Sequence, residues 1–269
     1  MKAAPFEYLR PESVEEALEA LARAGEDGKV LAGGQSLVPL MAMRLARPAV
    51  VVDVNRLPLD RVIFSPSPPE GEGQGGGAVI RIEAVARQRA AERSGVAELA
   101  EALRWVAHPP IRNRGTVVGS VCHADPAAEL PALALALDGV LEVRSLRGAR
   151  EVPVSELLVG PLMTSLAADE LALALRLRLP EGWRWRVLEV ARRQGDFALA
   201  GVVAGSAPDG SWARLAVFGA APRPYVIDGP AEDLPARAAE MADPASDIHA
   251  DAAFRRHLVG VLARRALAA

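Results

Sequence analysis

Leu31-Ala32-Gly33-Gly34-Gln35-Ser36 is one of two segments of this chain in which small residues leave the backbone open to a ligand, and Arg112-Asn113-Arg114-Gly115-Thr116-Val117-Val118-Gly119-Ser120 is the other. Glycine lacks the Cβ that would hold a phosphate away from the backbone and that penalises positive φ. Concave runs of backbone N–H groups bind anions without lysine or arginine, and the hydroxyls of Ser36, Thr116 and Ser120 add further donors. The two segments lie roughly eighty residues apart and predict a pair of loops that hold the two phosphates of a dinucleotide from opposite sides.

Neither segment by itself identifies a phosphate-binding site. Gly33-Gly34 is also typical of an ordinary turn. Neither segment has the three spaced glycines of a nicotinamide-binding doubly wound domain, and neither has the phosphate loop that ends in Gly-Lys-Ser/Thr. The sequence therefore argues against a doubly wound nicotinamide-binding fold.

Composition restricts the possible classes further. At 269 residues the chain can bury a large core distributed over two or three subdomains. Its net charge of −3 is mixed along the chain, which argues against a nucleic-acid-binding surface. The single cysteine, Cys122, excludes an intrachain disulfide and an iron–sulfur cluster made by this chain alone, since such a cluster needs about four thiolates. We interpret Cys122 as a small buried hydrophobe and predict no metal site.

The sequence also bears on location. No segment approaches the roughly 20 uninterrupted apolar residues of a membrane-spanning helix, so we expect none. The charged residues between Glu7 and Glu16 are not those of a signal peptide. We therefore expect a cytoplasmic protein.

Hydrophobic periodicity predicts a first unit of β-α-β-α-β order with a partly parallel sheet. Ser13 and Glu16 form a capping box at the start of a helix over 13–24, which is followed by a strand at 29–32, a helix at 36–46 and a strand at 49–54. The Pro- and Gly-rich residues 65–77 predict the tip of a surface hairpin rather than a domain boundary.

Further elements are predicted along the rest of the chain. Up to residue 179 we expect strands at 61–64, 78–84, 140–145 and 170–179, and helices at 87–93, 95–107 and 131–137. Beyond it we expect a strand at 183–192, a hairpin of 198–206 with 211–219 across the turn at 207–210, and helices at 230–242 and 250–267.

Four ordered segments of the chain resemble those of one family, the flavin-binding medium subunit of the molybdenum hydroxylases, which include aerobic carbon monoxide dehydrogenase and xanthine dehydrogenase-like enzymes. Residues 6–11 resemble the family's opening, and residues 32–36 resemble its first flavin loop. Residues 111–131 resemble the second flavin loop and form the most specific stretch, and residues 189–198 resemble the start of the family's C-terminal domain.

The resemblance implies an α+β protein with a two-subdomain FAD-binding fold of the PCMH/vanillyl-alcohol-oxidase type. A C-terminal domain with a three-stranded antiparallel sheet and helices is expected to follow. We expect the first FAD-binding subdomain at 1–57, the second at 58–175 and the C-terminal domain at 176–269.

The resemblance also implies FAD stretched between the first two subdomains. Glu129 stands where the family has an acidic residue facing the cofactor, and Phe197 stands where relatives carry an aromatic residue near the flavin. The expected cofactor-binding residues are Leu31, Ala32, Gly33, Gly34, Gln35, Ser36, Leu37, Ala107, Thr116, Val117, Val118, Gly119, Ser120, Asp125, Glu129, Leu171 and Phe197. No acid–base pair, nucleophile or other catalytic residue is expected.

Several of these residues also have a plain structural interpretation. Glu129 stands at a helix N-terminus, where the helix dipole favours a negative charge, and Asp125 precedes Pro126 and can cap that turn. Ala107, Leu171 and Phe197 suit a core as well as a cofactor site. For Arg112 and Arg114 the alternatives are contact with phosphate, an outer cover of the loop, or contact with a partner subunit.

The chain departs from the family pattern in two segments. Val118 stands where relatives have a second glycine, and its branched Cβ makes positive φ costly. In residues 81–87, Glu83 replaces a glycine and Ala86 replaces a threonine. These departures keep open a degenerate or flavin-free site.

The function implied by the resemblance is that of an FAD-binding electron-transfer subunit in a heterotrimer. A molybdopterin-containing large subunit would oxidise the substrate, an iron–sulfur small subunit would relay electrons, and FAD would pass them to an external acceptor. One alternative is a flavin-free structural subunit of the same complex, and another is a stand-alone flavin reductase.

Overall fold

The computed structural model describes residues 2–67 and 76–268. The N-terminal unit is a parallel sheet with the strand order β1-β3-β2. Its elements are β1 (Glu7–Leu9), α1 (Val14–Ala24), β2 (Gly28–Leu31), α2 (Leu37–Ala42) and β3 (Val50–Asp53). The predicted β-α-β-α-β order is confirmed, and the three strands are parallel throughout.

Helix α1 begins where the capping residues predict. The Ser13 hydroxyl accepts a hydrogen bond from the Glu16 N–H at 3.2 Å, and the Glu16 carboxylate accepts from the Glu12 N–H at 2.8 Å. The apolar face of α1, with Leu18 and Leu21 fully buried, packs against Val52 of β3. Burial of this face fixes the parallel sheet from which the first glycine loop extends.

The middle unit is an antiparallel sheet with the order β4-β5-β10-β6-β7. Its strands are β4 (Val62–Ser67), β5 (Gly77–Glu83), β6 (Val140–Ser145), β7 (Gly148–Pro153) and β10 (Leu171–Pro180), with a small pair β8 (Leu158–Gly160) and β9 (Met163–Thr164). Its helices are α3 (Gln88–Glu92), α4 (Ala97–Leu103), α5 (Pro109–Arg112), α6 (Val117–His123), α7 (Glu129–Ala136) and α8 (Val154–Leu157).

The C-terminal unit corrects one prediction, because its antiparallel sheet has four strands rather than three. The order is sequential over β11 (Arg184–Val190), β12 (Ala200–Ser206), β13 (Trp212–Phe218) and β14 (Tyr225–Pro230), with helices α9 (Leu234–Met241) and α10 (Ala252–Leu267) on one face. β14 was missed because it is short and lies between prolines, which are tolerated at the end of an edge strand.

Helix α7 joins the middle and C-terminal units. All of its residues are buried, and they share one core with Val187, Val203 and Phe218 of the C-terminal sheet. A helix that is apolar on every side is typical of a buried element between layers. Its N-terminus therefore has a fixed position relative to both sheets.

The described residues also bear on the predicted hairpin, the predicted domain boundary and the expected absence of a membrane-spanning helix. β4 and β5 pair antiparallel from Val62 to Gly77, so the hairpin is confirmed, whereas the part of its tip at 68–75 lies outside the described residues. The proposed boundary at 175/176 stays a prediction, and β10 continues across it to Pro180. Among the described residues, no helix combines the length and apolar character needed to cross a bilayer.

Candidate cofactor site

A cavity of about 730 Å³ lies where the three units meet. Its volume falls within the 300–1,000 Å³ that is usual for small-molecule and cofactor sites. The N-terminal unit contributes the segment around Gly33, the middle unit contributes α6 and the start of α7, and the C-terminal unit contributes the turn at 195–197. The cavity is therefore assembled from residues far apart in the sequence.

The first glycine segment leaves β2 and turns sharply before α2. Gly34 has φ of +73°, a conformation that residues with a Cβ rarely adopt. Within the described part of the chain, the N–H groups of residues 33–36 donate no hydrogen bond to protein acceptors. These unused donors suit the phosphates of a dinucleotide.

The second segment is a helix N-terminus rather than an extended loop. Thr116 caps α6, because its hydroxyl accepts a hydrogen bond from the Gly119 N–H at 3.1 Å. Val118 has helical rather than positive φ and is 3% exposed within the core. The anticipated penalty for valine at this position therefore does not arise.

Glu83, the other departure from the family pattern, also leaves the cavity free. Its carboxylate is buried, accepts hydrogen bonds from Arg61 and Arg81, and forms none of the cavity wall. Arg81 in turn pairs with Glu142 on the neighbouring part of the sheet. This network holds the pKa of the Glu83 carboxyl below its usual value despite burial, which opposes the shift.

The two glycine-containing segments touch each other. A Cβ on Gly33 would lie 2.6 Å from the Arg114 carbonyl oxygen, 2.7 Å from Gly115 Cα and 3.0 Å from the Thr116 nitrogen. Only glycine permits this approach of two backbones. The contact brings the two segments to one side of the cavity.

Arg87 fastens the same two segments together from outside the cavity. Its guanidinium donates to the Arg114 carbonyl oxygen at 2.7 Å and to Asn55 Oδ1 at 2.7 Å. The Asn55 amide donates in turn to the Ala32 carbonyl oxygen at 2.8 Å. Burial, together with the nearby positive charge of Arg114, lowers the pKa of Arg87.

Replacing Arg87 with methionine is expected to weaken FAD binding roughly tenfold, or by about 1.4 kcal/mol, because the carbonyl of Arg114 and the amide of Asn55 both lose a charged donor. Fluorescence titration of FAD into the purified chain measures the change. Arg93→Met, at an exposed arginine after α3, serves as the control. Equal affinities of the two variants would show that Arg87 does not align the segments.

Carboxyl groups line the far side of the cavity. Asp125 caps the turn before α7, since its carboxylate accepts from the Ala127 N–H at 2.9 Å. Glu129 is buried at the first position of α7. Burial, with a smaller contribution from the charge of Asp125, raises the pKa of Glu129 to about 7. Glu129 therefore carries a proton for part of the time at neutral pH.

Cys122 and His123 line the cavity beside Ser120 on α6. Burial raises the pKa of Cys122 to about 12, so the thiol stays protonated and a poor nucleophile at neutral pH. This agrees with its predicted role as a packing residue. No cluster of three or more potential metal ligands occurs among the described residues.

The C-terminal unit reaches the cavity through one turn. Gly195 has φ of +85°, and a Cβ there would lie 2.8 Å from the His108 ring. Phe197 is 67% exposed and lines the cavity. Phe197 is therefore not a core residue, which excludes the core interpretation of this position.

The structure brings most of the predicted cofactor residues together. All of them line the cavity except Leu31 and Val117, whose side chains belong to the strand β2 and the core respectively. Ala107 lines it with a strained φ of +40°, and Arg112 donates to its carbonyl oxygen at 3.2 Å. Arg112 is buried and pairs with Glu92, so it neither reaches phosphate nor covers the loop from outside.

Sequence reasoning missed several wall residues, among them Lys29, Gln88, Gly115, Leu162 and Thr164. Gln88 is the most informative, because its buried Oε1 has no hydrogen-bond partner within the described residues and lies 2.6 Å from where a Cβ of Gly115 would be. Gly115 was within the quoted segment, whereas nothing local in the sequence marks Gln88.

The chain is similar to proteins of known function over most of its length. Residues 4–181 match the family described as FAD binding domain in molybdopterin dehydrogenase. The chain is 40% identical to the nicotine 6-hydroxylase medium subunit of Paenarthrobacter nicotinovorans, over 99% of this chain and 98% of that protein. It is 36% identical to the 6-hydroxypseudooxynicotine dehydrogenase complex subunit alpha of the same organism, over 100% and 95%.

A solved structure extends the similarity to three dimensions. The structure of carbon monoxide dehydrogenase from Hydrogenophaga pseudoflava that lacks the Mo-pyranopterin moiety contains a chain with a TM-score of 0.88 and 30% identity. The match covers 100% of the present chain and 98% of that one. The likeness therefore includes the C-terminal unit, beyond the residues that the family model matches.

Proposed function

Since this chain belongs to the family of FAD-binding medium subunits of molybdopterin dehydrogenases, we propose that it is the electron-transfer subunit of a heterotrimeric molybdenum hydroxylase. FAD is the cofactor of this family. In the proposed complex, the residues that line the cavity would hold FAD, which would supply electron transfer from an iron–sulfur small subunit to an external acceptor. A molybdopterin-containing large subunit would oxidise the substrate.

The observation that carries the proposal is the contact of the two glycine-containing segments on one side of the cavity. Residues 33–36, whose N–H groups have no acceptor among the described residues, and the start of α6 line the space in which a diphosphate would lie. FAD supplies the redox chemistry when bound, and the protein supplies position and electrostatic environment. We assign the predicted residues that line the cavity as its contacts.

The remaining wall residues have roles that need no proton transfer to substrate. Thr116 fixes the start of α6 through its cap, and Arg87, outside the cavity, holds the two segments together. Phe197 lies in the one turn that the C-terminal unit contributes to the wall. No catalytic acid, base or nucleophile is assigned, because substrate oxidation is placed in another chain.

The two relatives at 40% and 36% identity are named for nicotine and 6-hydroxypseudooxynicotine. On this basis, a nitrogen-containing organic compound is the proposed substrate class of the complex. The cytoplasmic location stays a prediction.

Titration of FAD into the purified chain tests the central step. We expect saturation at one FAD per chain with quenching of flavin fluorescence, and reduction of the bound FAD when the assembled complex receives substrate. A chain that binds no FAD in excess would be the flavin-free structural subunit. A chain that binds and turns over FAD without partner subunits would be the stand-alone reductase.

A further inference from the structure

A second pocket, of about 270 Å³, lies on the C-terminal sheet and is rich in tryptophan. The chain has four tryptophans, and three of them, Trp183, Trp185 and Trp212, line this pocket. The rings of Trp183 and Trp185 stack with their centroids 5.8 Å apart, a separation typical of aromatic pairs. Trp212 on β13 is 49% exposed. The pocket therefore offers aromatic surface that solvent still reaches.

The strand register places these side chains on one face of the sheet. Trp185 pairs with Gly205 of β12, and Gly205 pairs with Arg214 of β13. Arg214 pairs in turn with Asp228 of β14. Directly paired residues of an antiparallel sheet lie on the same face. A Cβ on Gly205 would lie 2.6 Å from the six-membered ring of Trp185, so the glycine lets this indole lie across β12.

The charged groups of the pocket leave one negative charge in excess. Arg214 pairs with Asp228 at 2.6 Å and with Asp138, which follows α7, at 2.7 Å. Both carboxylates are partly exposed, and each carboxylate oxygen can accept more than one hydrogen bond. Among the residues that the structure describes, no other charged side chain lines the pocket. The lining therefore favours a cationic ligand over an anionic one.

This pocket is separate from the cofactor cavity. Arg214 donates to the Ala136 carbonyl oxygen at 3.4 Å, which places the pocket at the C-terminal end of α7. Glu129, at the N-terminal end of the same helix, lines the cofactor cavity. The eight residues of α7 span about 12 Å, and no described residue lines both spaces. FAD in the cofactor cavity would thus leave the tryptophan pocket free.

We propose that the tryptophan pocket binds a small organic ammonium compound. A cation over the face of an indole is attracted by the ring quadrupole, and tryptophan is the best aromatic partner in this interaction. The excess carboxylate charge adds to this attraction, whereas an uncharged flat ring would gain nothing from it. The volume lies below the roughly 300–1,000 Å³ of sites for drug-sized ligands, so the ligand is small. This inference goes beyond the proposed function and does not depend on FAD binding.

Titration of choline into the purified full chain tests the inference. Broadening of the choline methyl signal in NMR spectra measures binding without relying on tryptophan fluorescence. The control ligand is the isosteric alcohol in which a carbon atom replaces the ammonium nitrogen. We expect a dissociation constant for choline near or below about 1 mM. The alcohol is expected to bind roughly tenfold more weakly, because it lacks the charge that the indoles and carboxylates attract.

Variants of the lining show which groups bind choline. Trp212→Leu removes one indole face and is expected to weaken binding roughly tenfold, whereas Trp212→Phe keeps an aromatic face and should retain most of the affinity. Phe254→Leu, at a similarly exposed aromatic residue on α10, should bind choline like the wild type. Asp228→Asn leaves every indole in place, removes the excess charge and is expected to weaken binding about fivefold.

Three results would overturn the inference. One is the absence of choline binding, and another is equal binding of choline and the alcohol. The third is wild-type affinity for choline in both Trp212→Leu and Asp228→Asn, with circular dichroism showing that the variants are folded. None of these results would bear on the proposed flavin function, because titration with FAD tests a different cavity.

Discussion

Gly33→Ala is expected to lower the affinity for FAD by roughly 100-fold, or about 2.7 kcal/mol. The added methyl would lie 2.6–3.0 Å from backbone atoms of residues 114–116, and backbone cannot move aside as a side-chain end can. The two glycine-containing segments must separate, and overpacking of this kind typically costs about 1–3 kcal/mol before any ligand is bound. Flavin fluorescence titration measures the affinity, and circular dichroism checks that the variant is folded.

Gly260→Ala is the matched control for this change. A Cβ at Gly260, on α10, would have its nearest neighbour at 3.6 Å, an ordinary van der Waals contact, and alanine favours the helix. This variant should bind FAD like the wild type. If Gly33→Ala is folded and retains wild-type affinity, contact between the two segments is not what builds the site.

Arg112→Met is expected to reduce the free energy of unfolding by about 3 kcal/mol. Arg112 is buried, pairs with Glu92 at 3.1 Å and donates to the carbonyl oxygen of Val106 at 2.8 Å. Methionine preserves most of the volume but leaves two carbonyls, including that of the strained Ala107, without this donor, and leaves Glu92 with Arg89 as its remaining partner. Urea denaturation followed by circular dichroism measures the loss.

The stability effect should come from the lost partners rather than from the lost charge. Arg265→Met removes an arginine from an exposed position on α10 and should change stability by less than about 0.5 kcal/mol. Glu92→Gln, which keeps hydrogen-bond acceptance at the partner, should be milder than Arg112→Met. A wild-type unfolding midpoint for Arg112→Met would contradict the structural role assigned to the pair.

The fold was predictable where local periodicity is strong. Alternation in residues 171–179 identified β10, and the capping box identified α1, because both patterns are set by neighbours within a few residues. β7 was not predicted because its residues are mostly exposed and lack alternation. α6 was read as a loop because its start contains Val117-Val118, although Thr116 is a good helix cap.

The site was predictable where a motif marks it and not where distant residues meet. The glycine segments and Glu129 were found in the sequence, and the structure places them on one cavity. The bond from Arg87 to Asn55 joins residues 32 positions apart, and the side chain of Gln88 lies against Gly115 in the cavity wall. Neither relation has a periodic signature, so neither could be read before the fold was known.

The matched family region ends at residue 181, but helix α7 also packs against residues beyond that point. A polypeptide that ends at residue 181 would lack Val187, Val203 and Phe218, and the side of the apolar helix α7 that packs against them would be exposed to water. Such a truncated product is expected to aggregate during expression. The C-terminal third is therefore needed to cover the apolar surface of α7. Truncated or hybrid proteins that lack it are expected to be insoluble.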